Sequence, residues 1–401
     1  MSADQVASQR VSLPRLDALT GLRIFPALAV LLSHLERPVW AGPWLEAFLT
    51  AGYAGVTVFF VLSGFVLTYN YFDRFAEQPS FGALRSYIAA RLARVYPLYI
   101  LMLIWVSLPT LWEGKFRAKL WLEHALALQA WDASLSQAFT FNSPGWSISV
   151  ELFLYACFPL LVWALLPVVR TPRRTLIALL VVAALMALLT GCFVLSGYAD
   201  LPWTDPHSAH RWLYRNPLCR LGDFLLGMLT ARLVAHRQAP PRRAWQHWGA
   251  AASAAAIVAL MCVPGHIYTA ASWDLSYALL AAVLIYCLAS APASAGARWL
   301  ATKPLLLLGE ASYALYLCHV YVVEQLRAKF LSSSPWGVYA GLTLLVVVAS
   351  AIALHVVIER PSRAFFRRVL ARDSSGRLRC RGPCSVADVS IRKAIRRLDR
   401  E

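Results

Sequence analysis

Apolar runs long enough to cross a bilayer recur along this chain, separated by short polar or basic stretches. The pattern predicts about ten helical spans, near residues 16–35, 52–71, 95–112, 144–168, 175–196, 215–234, 246–263, 273–290, 305–326 and 337–358. The expected fold is all-α: a polytopic transmembrane helical bundle over residues 1–359, followed by a basic cytoplasmic tail over 360–401. Gly52 and Gly55 open the second span, where missing side chains allow helices to approach closely. Ser143 reads as the cap of the fourth span and Pro144 as its first-turn residue. The stretch Trp121–Leu128 is too short to span and reads as interfacial or re-entrant. Pro361 reads as the stop of the last span. No period of 20–50 residues recurs, and the halves show no inverted repeat.

Composition sharpens this picture. The 401 residues are 59% hydrophobic and 15% charged, with a mean hydropathy of +0.55, far from the charge content of soluble domains. The net charge of +17 would suit nucleic acid if it were clustered on a face, but it follows topology instead. Arginines crowd alternate connections, such as 73–94, 170–174 and 232–243, and are sparse in the others. That asymmetry puts both termini on the cytoplasmic side of a multi-pass inner (plasma) membrane protein and excludes a nucleic-acid partner. The first fifteen residues lack a short apolar core, so the first span is expected to act as its own insertion signal. Six of the eight cysteines fall in or beside apolar spans and read as small hydrophobes. Cys380 and Cys384 lack a second ligand pair, so no metal site is expected.

Polar groups inside the apolar runs are the candidates for chemistry. Arg23 and His34 are eleven residues apart in span 1, close to three turns, and so share a face about 16 Å long. The same pair also fits a snorkelling arginine and a hydrogen-bonded interior histidine. Span 4 carries Ser147, Glu151 and Tyr155 as a stripe, with Glu151 about 10 Å below the outer end, at a depth similar to His34. A carboxylate there would either orient the imidazole as a base or form a structural ion pair. Arg91 and Arg94 share a face at the inner edge, where guanidinium forks suit phosphate and where anchoring arginines are also common. Span 9 adds Ser312, Tyr316 and His319 on one face. His355 and Glu359 are too few ligands for a metal, and Ile391–Leu398 reads as either an amphipathic or a solvated stretch.

These blocks, in this order, resemble the acyltransferase-3 family of integral membrane O-acyltransferases. The matching residues are Leu16-Asp17 with Gly21-Leu22-Arg23 and His34, Gly55-Val56 with Phe59 through Phe65, and Arg91-x-x-Arg94 before Tyr96-Pro97. They continue with Trp146-Ser147, Glu151 and Tyr155, then Arg220 with Phe224 and Gly227, Ser312-Tyr313 with Tyr316 and His319, and Glu359-Arg360-Pro361. Each block is modest; seven in sequence are specific. The Ala18-Leu19-Thr20 spelling departs from the family pattern, without disturbing the Arg23–His34 spacing.

The resemblance implies an enzyme that moves an acyl group, commonly acetyl, from acyl-CoA to a hydroxyl of a carbohydrate or related acceptor, with no bound cofactor. On that reading Arg91 and Arg94 hold the inner-side polyanionic donor. His34, Glu151 and Arg23 form the catalytic group, and Trp146, Ser147, Tyr155, Ser312, Tyr313, Tyr316 and His319 form a supporting polar face. Direct transfer and a covalent acyl-histidine are both compatible with it. A secondary transporter or flippase would also place charge at mid-membrane, but it would be expected to carry repeats and paired broken helices. A non-catalytic scaffold would leave three polar stripes unexplained.

Overall fold

A computed structural model of the chain describes residues 16–77, 79–237, 244–330 and 335–372. Cys380, Cys384 and the Ile391–Leu398 stretch lie outside the described residues. Those described are all-helical, with no strand among them. Seven helical segments are long and apolar enough to cross a membrane: Pro43–Glu77, Phe81–Trp112, Gly145–Leu165, Pro172–Leu195, Ala270–Ser290, Lys303–Ala328 and Trp336–Phe366. Three other expected spans are helical but shorter. The first is split at Arg23 into α1 (Asp17–Leu22) and α2 (Ile24–Ser33). The stretch near 215–234 yields a helix only over Leu221–Ala235, after a π-helical turn at His210–Arg215. The third contributes the apolar stretch Trp248–Met261.

Ala54–Glu77 (α4) is the central helix, because the segment containing it is 78% buried whereas Pro172–Leu195 is only 11% buried. In a membrane protein such low burial within the bundle marks a face turned to lipid. Absent side chains set how near neighbours come. A Cβ on Gly52 would lie 1.8 Å from the Ala29 carbonyl oxygen, and one on Gly227 would lie 1.9 Å from that of Val61. The first holds α2 against the start of α4, as Gly52 and Gly55 led us to expect; the second locks Leu221–Ala235 against its middle.

Two local expectations need correction. Gly145–Leu165 (α8) is not capped by Ser143: Pro144 occupies the cap position, and the Ser147 hydroxyl bonds back to the Pro144 carbonyl at 3.0 Å. Nor does Pro361 stop the last span. Trp336–Leu354 passes through a π-helical turn, His355–Glu359, into the helix Arg360–Arg372. The wider turn accommodates a proline that cannot donate an i→i−4 bond, so the helix continues past it.

That turn is held by charge. His355 Nδ1 donates to Glu359 Oε2 at 2.6 Å, Arg360 Nε donates to His355 Nε2 at 3.0 Å, and Arg360 Nη2 reaches Glu310 Oε2 at 2.8 Å. His355 and Glu359 therefore bond to each other and to neighbouring side chains. The short helix Ala118–Ala125 lies over Phe81–Trp112 (α5), tied down where the Tyr96 and Tyr99 hydroxyls donate to the carbonyls of Ala125 and His124.

Candidate active site

Two cavities lie side by side in the bundle and share only Val56 and Tyr316 in their linings. The first, about 60 Å³, collects Arg23 from the α1–α2 break, Ser63 from α4, Arg94 from α5, Ser147 and Glu151 from α8, and Ser312 and Tyr313 from Lys303–Phe330 (α15). The second, about 230 Å³, holds His34 at the end of α2, His319 from α15 and a wall of aromatic rings.

In the first cavity the carboxylate is occupied and the guanidinium groups are not. Glu151 accepts from the Tyr155 hydroxyl and, at 3.4 Å, from Ser63. Tyr313 donates to the Val95 carbonyl at 2.6 Å, and Ser312 to that of Gly309 at 2.8 Å. Arg23 and Arg94 make no side-chain hydrogen bond or ion pair within the described residues. Two cations facing one cavity with their donors unused are suited to an anion, with the Glu151 carboxylate in the same lining. Arg91 does not share in it, although it is three residues from Arg94. Its Nη2 donates to the Tyr71 hydroxyl at 3.0 Å, and the guanidinium lies over the Tyr71 and Tyr155 rings.

The second cavity contains an imidazole pair. His34 and His319 meet edge to face, ring centres 4.8 Å apart. His34 Nδ1 lies 2.9 Å from the Val30 carbonyl oxygen, and His319 Nδ1 lies 2.7 Å from that of Tyr316. A carbonyl only accepts, so each Nδ1 carries the proton and each Nε2 presents a lone pair. The Nε2 of His319 is buried and has no partner among the described residues. Glu151, expected to orient His34, lines the other cavity and bonds to Tyr155 and Ser63 instead. A main-chain carbonyl one turn back does that work.

Of the predicted site residues, Arg23, Arg94, Glu151, Ser147, Ser312 and Tyr313 converge on the first cavity, His34, His319 and Trp146 on the second, and Tyr316 stands between them. Tyr155 and Arg91 line neither and stack beside the first. Arg220, noted only within a resembling block, is fully buried. It donates to the Tyr214 carbonyl, Thr57 Oγ1, Asp223 Oδ2 and the Trp273 carbonyl at 2.7, 3.1, 2.6 and 2.9 Å. His210, Trp203, Tyr268 and Trp273 were missed. The available signal was a concentration of aromatic residues in two polar connections, 198–216 and 263–274.

Ionisable groups facing cavities between long apolar helices suit an integral membrane enzyme, and comparison with known proteins identifies its class. The family model described as Acyltransferase domain, acyltransferase-3, matches residues 16–355, and the chain belongs to that family. It is a multi-pass membrane acyltransferase that transfers groups other than aminoacyl groups. It is similar to the acyltransferase MdmB of Streptomyces mycarofaciens, with 30% identity over 86% of this chain and 91% of that one. It is also similar to the putative membrane-bound transacylase BcsY of Komagataeibacter xylinus, at 29% over 90% and 86% respectively. A third relative, the O-acetyltransferase OatA of Staphylococcus aureus, is 26% identical over 87% of this chain and 57% of its own length. No solved structure matches.

The split between Arg91 and Arg94 gives a sharp expectation. Lysine keeps the charge but loses the fork. If the anion held here is a phosphate-bearing donor such as acyl-CoA, Arg94→Lys should weaken its binding about tenfold, whereas Arg91→Lys should change it little, with both variants at parental levels in the membrane. Isothermal titration with acetyl-CoA in detergent checks this. Equal losses would mean that the two arginines act together.

Proposed function

We propose that this protein is an O-acyltransferase of the inner (plasma) membrane. It moves an acyl group, acetyl in the first instance, from acyl-CoA to a hydroxyl of a carbohydrate or related acceptor. The observation that carries the reading is the pair of cavities meeting at Val56 and Tyr316, one bearing unpaired guanidinium groups and the other unpaired imidazole nitrogens. Coenzyme A is a polyanion, and Arg23 and Arg94 are free to receive its phosphates. The thioester then reaches past Tyr316 toward His34. The acceptor hydroxyl attacks the carbonyl carbon while His34 Nε2 takes its proton. The tetrahedral adduct collapses, the C–S bond breaks, and the departing thiolate takes the proton back from the imidazolium. Ten spans with both termini in the cytoplasm complete the arrangement, supported by the arginine asymmetry. Residues 1–359 form the catalytic transmembrane domain and 360–401 a basic cytoplasmic tail.

Sidedness tests it. In sealed, oriented vesicles, acetyl-CoA should support transfer only from the cytoplasmic side, with acetylated product appearing on the opposite side. Product confined to the donor side would overturn the transmembrane route and put both substrates in one cytoplasmic cleft.

A further inference from the structure

The His34 cavity has a composition of its own. Among the described residues no Asp, Glu, Lys or Arg lines it, in contrast to its neighbour. Its wall is built from Trp146, Trp203, Tyr214, Tyr268 and Trp273, which touch one another. Trp203 meets Tyr268 at 4.4 Å and Trp273 at 5.8 Å between ring centres, and Tyr268 stacks on Trp273 at 5.4 Å. The polar ends of two lining tyrosines are spent inside the wall: the Tyr53 hydroxyl donates to Ser272 at 2.7 Å and that of Tyr214 to the Tyr53 carbonyl at 3.4 Å. Ring faces and edges therefore dominate the surface.

Against this apolar wall stand two imidazole nitrogens without partners. His210 is 4% exposed and His319 0%, yet Nδ1 of the first and Nε2 of the second have no hydrogen-bond partner. His210 is fixed in place, stacked on Trp203 at 5.2 Å and edge-on to Trp273 at 4.9 Å. Burial, with Arg215 and Arg220 nearby, pushes its imidazole down to about 3, so it stays neutral at physiological pH. A buried imidazole nitrogen without a partner costs free energy, and a ligand hydroxyl, which can donate or accept, removes that cost.

We propose that this cavity is the acceptor's binding site, that it takes an uncharged sugar ring with its apolar face against Trp203, and that the His210 imidazole hydrogen-bonds one of its hydroxyls. Sugar rings combine an apolar C–H face with peripheral hydroxyls, which is what aromatic planes and unpartnered imidazole nitrogens complement. A uronate or an aminosugar would have to bury its charge with no counter-charge in the lining, which is strongly unfavourable. The proposal rests on the acyl-transfer reading for calling the ring an acceptor, but its binding test needs no donor.

The full chain in lipid nanodiscs would be titrated, without acyl-CoA, with methyl glucoside, methyl galactoside, methyl glucuronide and methyl glucosaminide. Tryptophan fluorescence reports binding, and carbethoxylation of His210 by diethyl pyrocarbonate, read by mass spectrometry, reports occupancy. A neutral glycoside should shield His210 and bind at least about tenfold more tightly than either charged one. His210→Leu should weaken neutral-glycoside binding about tenfold, while His210→Asn, which keeps a hydrogen-bonding side chain, should recover most of it. Acetyl-CoA affinity should be unchanged in both variants, which shows that they are folded. Glucuronide binding as tight as glucoside, or no shielding of His210 by either neutral glycoside, would overturn the proposal. Failure of the parent to bind acetyl-CoA would count instead against the donor reading of the Arg23 cavity, leaving the glycoside titrations to decide this one.

Discussion

Replacing His34 by alanine should lower acyl transfer by roughly a hundred- to ten-thousandfold, the range expected when a positioned general base is removed. Acetyl-CoA affinity should stay close to the parent, because His34 lines the cavity that Arg23 and Arg94 do not. The effect should fall on turnover rather than on the Michaelis constant for donor, since the proton is in motion only in the transition state. His34→Gln should be as inactive, because a side-chain amide cannot take the hydroxyl proton. Initial rates with labelled acetyl-CoA, together with donor titration of the same preparation, separate these quantities. Parental turnover in His34→Ala would remove His34 from the mechanism. Substituting His319 tests the pair: with its Nδ1 tied to the Tyr316 carbonyl and its ring against His34, His319→Ala should impair transfer less than His34→Ala does.

The second large effect concerns stability. Arg220→Met should destabilise the fold by about 3–5 kcal/mol, because it leaves the Asp223 carboxylate buried without its counter-ion. Asp223 is already exposed to this risk, since its Oδ1 has no partner even with Arg220 present. The arginine also ties together Thr57 on the central helix, the Tyr214 carbonyl and the Trp273 carbonyl, so its loss should loosen the aromatic wall as well as unfold the chain earlier. The double variant Arg220→Met with Asp223→Leu should regain a substantial part of the lost stability, because the two paired charges are then removed together. Thermal unfolding of the purified variants in one detergent measures this. Equal melting of parent and Arg220→Met would show that water or lipid reaches Asp223.

The helical class and the position of each long apolar segment were legible because hydrophobic length and period are local properties. The shared cavity of Arg23, Arg94 and Glu151 was partly legible: spacing gives the face of a helix, and same-face residues of several helices converged. What spacing does not give is axial register between helices. Glu151 and His34, both near one end of their helices, looked like partners, yet they line neighbouring cavities. His319 looked like support and proved to be the ring against His34, a contact between helices far apart in sequence. Arg91 and Arg94 illustrate another limit. Three residues apart, they share a helix face, but the nearby Tyr71 captured one of them. The break at Arg23 and the π-helical turn before Pro361 were hidden because each departs from the regular period that makes a helix readable.

The bond from His34 Nδ1 to the Val30 carbonyl has a consequence for how such an enzyme can change. In many sites a base is steered by a side chain, so one codon can mis-steer it. Here the steering atom belongs to the main chain of the same helix, and no ordinary substitution at Val30 deletes it. Imidazole and guide also sit within one turn, His34 closing the helix that carries Val30. On the proposed mechanism, the aromatic connections at 198–216 and 263–274 can diversify without detuning His34, which leaves room for a lineage to exchange acceptors while keeping one reaction.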